Sequence, residues 1–153
     1  MSRSRCRGDG GQVGGIEALP FGLLIFVLGS LLIANAWAVV DAKFATDAAA
    51  RQAARTFVEG TDQATALAAA EAAGRAVIEG HGRDPARAVI RPTGHVALAR
   101  CARATFEAVY EVPALSLPLI GGYGAAPFRV RSTHSEVVDP FRSGLEGEAE
   151  DCT

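Results

Sequence analysis

The side chains most able to do chemistry in this sequence are three histidines, His81, His95 and His134. A nucleophilic site needs Ser, Cys or Thr beside a histidine, and none of the three has the spacing of a known family. The zinc motif H-E-x-x-H does not occur, and the glycines near the N-terminus are not followed by the G-K-S/T of a phosphate-binding loop. We therefore expect no catalytic, metal or cofactor site, no small-molecule substrate, and a protein that is not an enzyme.

The cysteines have a different chemistry open to them. Cys6, Cys101 and Cys152 lack the paired C-x-x-C spacing of a zinc or redox site, and an odd number cannot form a closed disulfide framework. If the N-terminus is cytoplasmic, Cys6 lies on the reducing side of the membrane and the other two share the oxidising side. A Cys101–Cys152 disulfide can then form, although spacing alone does not show that the two residues are close.

Two polar residues, Glu17 and Asn35, lie at the start of and within a long apolar segment. A carboxylate at the lip of a membrane helix must lie at the interface or pair with a cation, such as the terminal amine of a neighbouring subunit, and both alternatives stay open. An amide inside the membrane favours an interhelical hydrogen bond worth about 1 kcal/mol. Gly29 and Ser30 would let a second helix approach closely there.

The segment that positions these residues is apolar and uncharged from Ala18 to Val40. Its 23 residues would form a helix about 35 Å long, enough to cross a hydrocarbon core of about 30 Å. The segment is longer than the core of a secretory signal, and the remaining chain is too small to surround it as a core helix. We expect one transmembrane helix.

The orientation of this helix is predicted from its flanks. Three arginines precede it and three basic residues follow within a comparable distance, so their count does not decide. A long following domain is commonly translocated, which favours a cytoplasmic N-terminus and an extracytoplasmic C-terminal domain in the cell membrane. The nearly balanced charge, 15 Lys and Arg against 17 Asp and Glu, predicts no nucleic-acid partner.

Charged residues recur every four positions beyond the span, which predicts one polar helical face. The face comprises Lys43, Asp47, Arg51, Arg55 and Glu59. The opposite side is rich in alanine and carries Phe44 and Phe57. We expect the membrane helix to continue to about Glu59 as a stalk whose polar face is solvated.

A small domain is predicted after Gly60. Thr61 can act as N-cap of a second helix, with Asp62 in its first turn, and this helix would end at Gly80. Segments rich in β-branched and aromatic residues predict strands at 88–90, 102–112 and 128–138. In the middle strand every second residue is apolar or small from Phe106 to Val112, so we expect one apolar face that packs on the second helix or on the stalk. The predicted fold class is a membrane-anchored α+β protein with a long N-terminal helix, a second helix and a small antiparallel sheet.

The resulting organisation has five parts: a basic, glycine-rich cytoplasmic leader (1–17), the transmembrane helix (18–40), the stalk with the second helix (41–80), a β-rich extracytoplasmic domain (81–140) and an acidic tail (141–153), which we expect to be mobile. The segment PALSLPLIGGYGAAP, residues 113–127, is predicted to be a loop. Its apolar residues would either contact a partner or fold back over the sheet, and Arg129 and Arg131, which follow it, are further candidates for partner contact.

Three stretches of the sequence resemble one known family. They are RGDGGQVGGIEALPFGLLIFVLG at the N-terminus, AARQAARTFVEG in the predicted stalk, and STHSEVVDPFRSG near the C-terminus. Together they resemble the TadE-like proteins of actinobacteria, minor pseudopilin-type components of tight-adherence (Flp-type) pilus systems. The resemblance covers most of the chain.

The resemblance implies a non-catalytic membrane protein whose partners are membrane lipid and other pilus, secretion-system or pseudopilin proteins. In prepilins a glycine precedes the cleavage site, and a glutamate is the fifth residue of the mature chain. Glu17 matches that glutamate, but Gln12 lies five residues before it and Gly11 six before, so the frame differs from the family pattern. The alternative function is a membrane-tethered binding module of the cell envelope with no connection to a pilus.

Overall fold

The computed structural model describes residues 14–113, 127–145 and 152, which form two α-helices and one sheet. Helix α1 is Gly14–Val58 and helix α2 is Gln63–Gly80. A short 3₁₀ helix, Pro85–Arg87, leads into strand β1, Ala88–Pro92. Strands β2, Arg103–Val112, and β3, Phe128–Val137, complete an antiparallel sheet in the order β1-β2-β3. The predicted long helix, second helix and small antiparallel sheet are all present.

The chain divides into two compact units at the bond between Trp37 and Ala38. In the first unit, the described residues are a single stretch of α1, and its large apolar side chains are exposed. Among the described residues, α1 is the one helix long and apolar enough to cross a membrane. Length and composition thus make it a candidate membrane span.

The part of α1 in the second unit is a core element. Small side chains recur at helical spacing along it and are fully buried, with Phe57 at the end of the row. Phe57 packs against Phe106 of β2 with ring centroids 5.4 Å apart. The predicted continuation of the membrane helix to about Glu59 agrees with α1, which ends at Val58, and from Ala38 onward α1 lies in the same compact unit as the sheet. Alanine at these positions lets the helix approach the sheet and α2 closely. The row comprises Ala42, Ala45, Thr46, Ala49, Ala50, Ala53 and Ala54.

The predicted polar face of this helix is accessible to solvent, whereas the predicted apolar side is only partly correct. Asp47, Arg51, Arg55 and Glu59 form exposed ion pairs four residues apart. Lys43 is also exposed, and its Nζ donates hydrogen bonds to the Arg131 carbonyl at 2.5 Å and to Ser132 Oγ at 2.8 Å. Phe44, expected on the apolar side, is exposed.

Helix α2 begins one residue later than the sequence suggested. Asp62, rather than Thr61, is the N-cap, and its carboxylate accepts hydrogen bonds from the backbone N–H groups of Ala64 and Thr65. The Thr65 hydroxyl also donates to this carboxylate, and these hydrogen bonds to the charged form lower the pKa of Asp62. Asp and Thr are both favourable N-cap residues, so the cap moves by one residue without loss of its hydrogen bonds.

The sheet has one apolar face, which belongs to the alternating residues of β2 that the sequence identified. Ala104, Phe106, Ala108, Tyr110 and Val112 are buried and form one core with α1 and α2. Ile90 of β1 contacts α2 at Gly74, where a Cβ atom would come within 3.0 Å of the isoleucine side chain. The opposite face of the sheet, which we call the outer face, carries the charged residues.

Candidate functional site

The first candidate site is the apolar stretch of α1 in the first unit. Gly29 and Asn35 are partly exposed there, and Ser30 is exposed. At about 100° per residue, Gly29 and Asn35 lie roughly 120° apart around the helix, so they belong to different faces. The backbone of Glu17 lies within α1, but its side chain, like Gly11 and Gln12, falls outside the described residues.

The second candidate site is a cluster of charges on the outer face of the sheet. Glu107 of β2 is only 8% exposed, and its two carboxylate oxygens are held by two arginines. Arg91 of β1 donates hydrogen bonds to Oε2 at 2.9 and 2.7 Å, and Nε of Arg131 of β3 forms an ion pair with Oε1 at 3.0 Å. One buried carboxylate therefore joins all three strands and fixes two guanidinium groups, which remain 59% and 67% exposed.

This cluster borders an open cleft of about 510 Å³. Val89 and Val109, which are directly paired across β1 and β2, provide apolar surface. Arginines surround it: Arg129 is 72% exposed and pairs with Glu111 at 2.9 Å, and Arg87 pairs loosely with Asp84 at 3.4 Å. Glu107 and Glu111 are less exposed than the arginines paired with them, whereas Asp84 is slightly more exposed than Arg87, so the surface presented to solvent is cationic mainly at Arg91, Arg129 and Arg131. The cleft is lined by Ala86, Arg87, Val89, Arg91, Val109, Glu111, Arg129 and Arg131.

The sequence did not reveal this cleft as one site. Arg129 and Arg131 were separate candidates for partner contact, whereas Arg87 and Arg91 lie about forty residues earlier in the chain. Alternation along β3 predicts that its two arginines share a face. Only the register, which places Arg91 opposite Glu107 and Arg131 opposite Val109, brings the two pairs together.

A largely buried arginine, Arg83, joins the loop after α2 to α1, and the sequence did not indicate this role either. Arg83 follows α2, and its Nη2 donates to the Ala38 carbonyl at 3.0 Å and to Asp41 at 2.6 Å. Its guanidinium carbon lies 5.4 Å from the centre of the Tyr110 ring, and the side chain is 13% exposed. Arg83 thus fastens the loop after α2 to the point where α1 enters the second unit.

The C-terminal region is attached to the opposite end of the sheet. Cys101, just before β2, forms a disulfide with Cys152. Arg100 donates to the carbonyls of Pro140 and Leu145, and Arg142 donates to the carbonyls at the end of α1. Residues 140–145 and 152 therefore contact the second unit. Residues 146–151 lie outside the described residues, so the expected mobility of the acidic tail stays a prediction.

The remaining candidate chemistry is sparse. His134 pairs with Glu136 at 3.1 Å on β3, and His81 is the C-cap of α2. Within 14–113, 127–145 and 152, no group of three His, Cys, Asp or Glu side chains is arranged to hold a metal ion. The arrangement of the described residues is suited to burying apolar surface and to presenting fixed positive charge.

Most of the apolar loop at 113–127 also lies outside the described residues, so its two interpretations stay predictions. Comparison with known proteins found no matching family model, no matching curated protein and no matching solved structure, so the functional argument depends on this chain's own residues.

Proposed function

We propose that this protein is a non-catalytic, single-pass membrane component of a tight-adherence type pilus assembly system, with a TadE-like, minor pseudopilin role. The observation that carries the proposal is helix α1. Its N-terminal half exposes a continuous apolar surface, and its C-terminal half forms the core of a small α+β unit. The three sequence stretches that resemble the TadE-like family agree with this arrangement.

The exposed apolar surface favours membrane anchoring. Eleven large apolar side chains between Leu19 and Trp37 are exposed. Burial of such a side chain is worth roughly 1.5–3 kcal/mol, so leaving all of them in water would be very unfavourable. A bilayer removes that cost and places the uncharged segment Ala18–Val40 within the hydrocarbon.

The disulfide supports the proposed orientation. Cys101 and Cys152 both belong to the second unit, and disulfides persist in oxidising compartments. An extracytoplasmic second unit therefore agrees with the disulfide, and the basic leader then remains in the cytoplasm. The position of the single-pass span near the N-terminus is compatible with this topology.

Glu17 is the residue that we assign to subunit recruitment. A carboxylate at the end of an apolar helix gains most by pairing with a cation in a surrounding of low dielectric, and a neighbour's terminal amine would supply one. Glu17→Leu keeps the helix apolar and should preserve membrane insertion, but it removes this pairing.

Fibre formation in the native host tests the proposal. Deletion of the gene should abolish or strongly reduce surface fibres, and the wild-type gene should restore them. Glu17→Leu should reach the membrane in normal amounts without restoring fibres, and Gly22→Ala, at a site with open space, is the matched control. Normal fibres in the deletion strain would refute the pilus role; normal fibres with Glu17→Leu would remove Glu17 from the mechanism.

The second candidate is a membrane-tethered binding module of the cell envelope without a pilus connection. The arginine-lined cleft on the outer face favours it, because such a surface can bind a ligand with no other component. Neighbouring genes discriminate between the two: a secretion ATPase and polytopic membrane proteins favour pilus assembly, and their absence favours the binding module.

A further inference from the structure

We infer that the cleft on the outer face binds the acidic segment 146–151 of a second copy of this chain. The inference rests on the proposed assembly role, because it identifies a contact through which copies would associate. The cleft combines exposed arginines with apolar surface from Val89 and Val109. The segment EGEAED combines four carboxylates with small residues, and Leu145 precedes it. Charge and size are therefore complementary.

The cleft arginines differ in how available they are. Arg91 and Arg131 are held by the buried carboxylate of Glu107, so their position is fixed while their outer surfaces face solvent. Arg87 and Arg129 have weaker or more exposed acidic partners. Fixed guanidinium groups lose little side-chain freedom when they bind a carboxylate, and the two freer arginines can exchange partners readily.

The acidic segment cannot fill the cleft of its own chain: it can approach Arg91 and Arg131, which lie beside Glu107 about 13 Å from Arg103, but not Arg87 and Arg129 at the far end. Leu145 is held by Arg100 and Cys152 is bonded to Cys101, so both ends of the segment are attached at the start of β2. Seven residues reach about 25 Å in total, which allows an excursion and return of roughly 12 Å. Arg129 is paired with Glu111 in the sheet. Glu111 lies eight residues after Arg103, so this end of the cleft is about 26 Å from the start of β2. A gap of roughly 14 Å remains.

A second copy has no such constraint. The cleft of one copy would receive the acidic segment of the next, which is a head-to-tail contact between two different surfaces. Contacts of this kind repeat along a row of subunits instead of closing a symmetric dimer. The inferred contact would thus extend a linear assembly.

Two complementary charge reversals test the contact in the full-length chain. The cleft variant carries Arg87→Glu and Arg129→Glu, and the tail variant carries Glu148→Arg and Glu150→Arg. Each variant alone would place like charges together, so self-association should weaken about tenfold. In an equimolar mixture, the tail of each variant matches the cleft of the other, and association should return to the wild-type level.

The measurement is energy transfer between donor- and acceptor-labelled copies, tagged at the N-terminus, in phosphatidylcholine vesicles at a fixed protein-to-lipid ratio. The control variant carries Arg51→Glu and Arg75→Glu, which change the net charge as much as the cleft variant does. Both positions are exposed on helices outside the cleft, so this variant should associate like wild type. Unchanged melting temperature and an intact disulfide establish that each variant is folded.

Three results would overturn the inference: wild-type chains that stay monomeric, variants that associate as strongly as wild type, or a mixture that does not recover. Loss of association in the cleft variant alone, seen only when phosphatidylglycerol is present, would assign the cleft to anionic lipid and would also overturn it. The fibre assay with Glu17→Leu remains independent, so failure of this contact does not imply failure of the proposed function.

Discussion

Glu107 shows how one buried residue can link strands and also position exposed arginines. Its carboxylate is nearly inaccessible to water, yet both of its arginine partners are largely exposed. A buried carboxylate would be destabilising without such partners, and here each oxygen has one. The residue joins three strands across the sheet and also determines where two cleft arginines lie.

Glu107→Ala should lower the free energy of unfolding by about 1–3 kcal/mol, because it removes the charge-assisted hydrogen bonds from Arg91 and the ion pair with Arg131. Glu111→Ala is the matched control on the same strand and face. Glu111 is 41% exposed, and its ion-pair partner among the described residues is Arg129, so its loss should cost less than about 1 kcal/mol. Denaturant unfolding of the full chain in detergent micelles, followed by circular dichroism, measures both. Equal losses would show that the three-strand cluster has no special stabilising role.

At this scale the sequence identified individual residues better than their partners. It indicated Arg129 and Arg131 as candidates for partner contact, which depends on residue type. It also considered a Cys101–Cys152 disulfide, which depends on residue type and compartment. It did not indicate Arg83 or Glu107, because their roles depend on contacts with residues 16 to 45 positions away. Such contacts follow from strand register and helix packing, which local patterns do not specify.

Among the elements, the link between the two helices is the most sterically constrained. Only residues 59–62 separate α1 from α2, and Gly60 lies against the first turn of α2. A Cβ atom at this position would come within 2.3 Å of the Ala66 Cβ atom and 3.1 Å of the Phe57 carbonyl. The close approach of α1 and α2 therefore depends on a glycine here.

Gly60→Ala should destabilise the second unit by about 1–3 kcal/mol, because the backbone must shift to relieve the overlap. Gly80→Ala is the same chemical change at the last residue of α2, where no atom lies within 4 Å, and it should be neutral or stabilise by up to about 1 kcal/mol. Thermal unfolding of the two variants in the same detergent makes the comparison. Wild-type melting temperatures for both variants would contradict the predicted overlap between a Cβ atom at position 60 and Ala66.

The elements themselves were largely predictable. Apolar alternation predicted β2 to within a residue and identified its buried face, and turn residues placed the ends of α2 closely. The sequence left open whether the sheet packs on α2 or on α1 after Ala38, because an alanine-rich helical face is compatible both with an isolated stalk and with a tightly packed core helix. The burial of Ala42, Ala49 and Ala53 resolves this in favour of the core.

For the whole molecule, three features support one account. An exposed apolar helix favours a bilayer, a disulfide in the second unit favours an oxidising compartment, and a cationic cleft opposite the core favours an acidic partner. The proposed topology explains them together: a cytoplasmic leader, one membrane span, and an extracytoplasmic unit that contacts other subunits.

The most direct test of this account is the intact mass of the protein extracted from its native membrane, measured before and after reduction. We expect a chain that retains residues 18–40 and gains two hydrogen atoms on reduction of the Cys101–Cys152 disulfide. A start at Gln12 or Val13 would add prepilin-type processing, whereas a chain that keeps its leader would be a permanently anchored assembly component. A chain that begins after residue 40, or one whose mass does not change on reduction, would contradict the anchored, extracytoplasmic account.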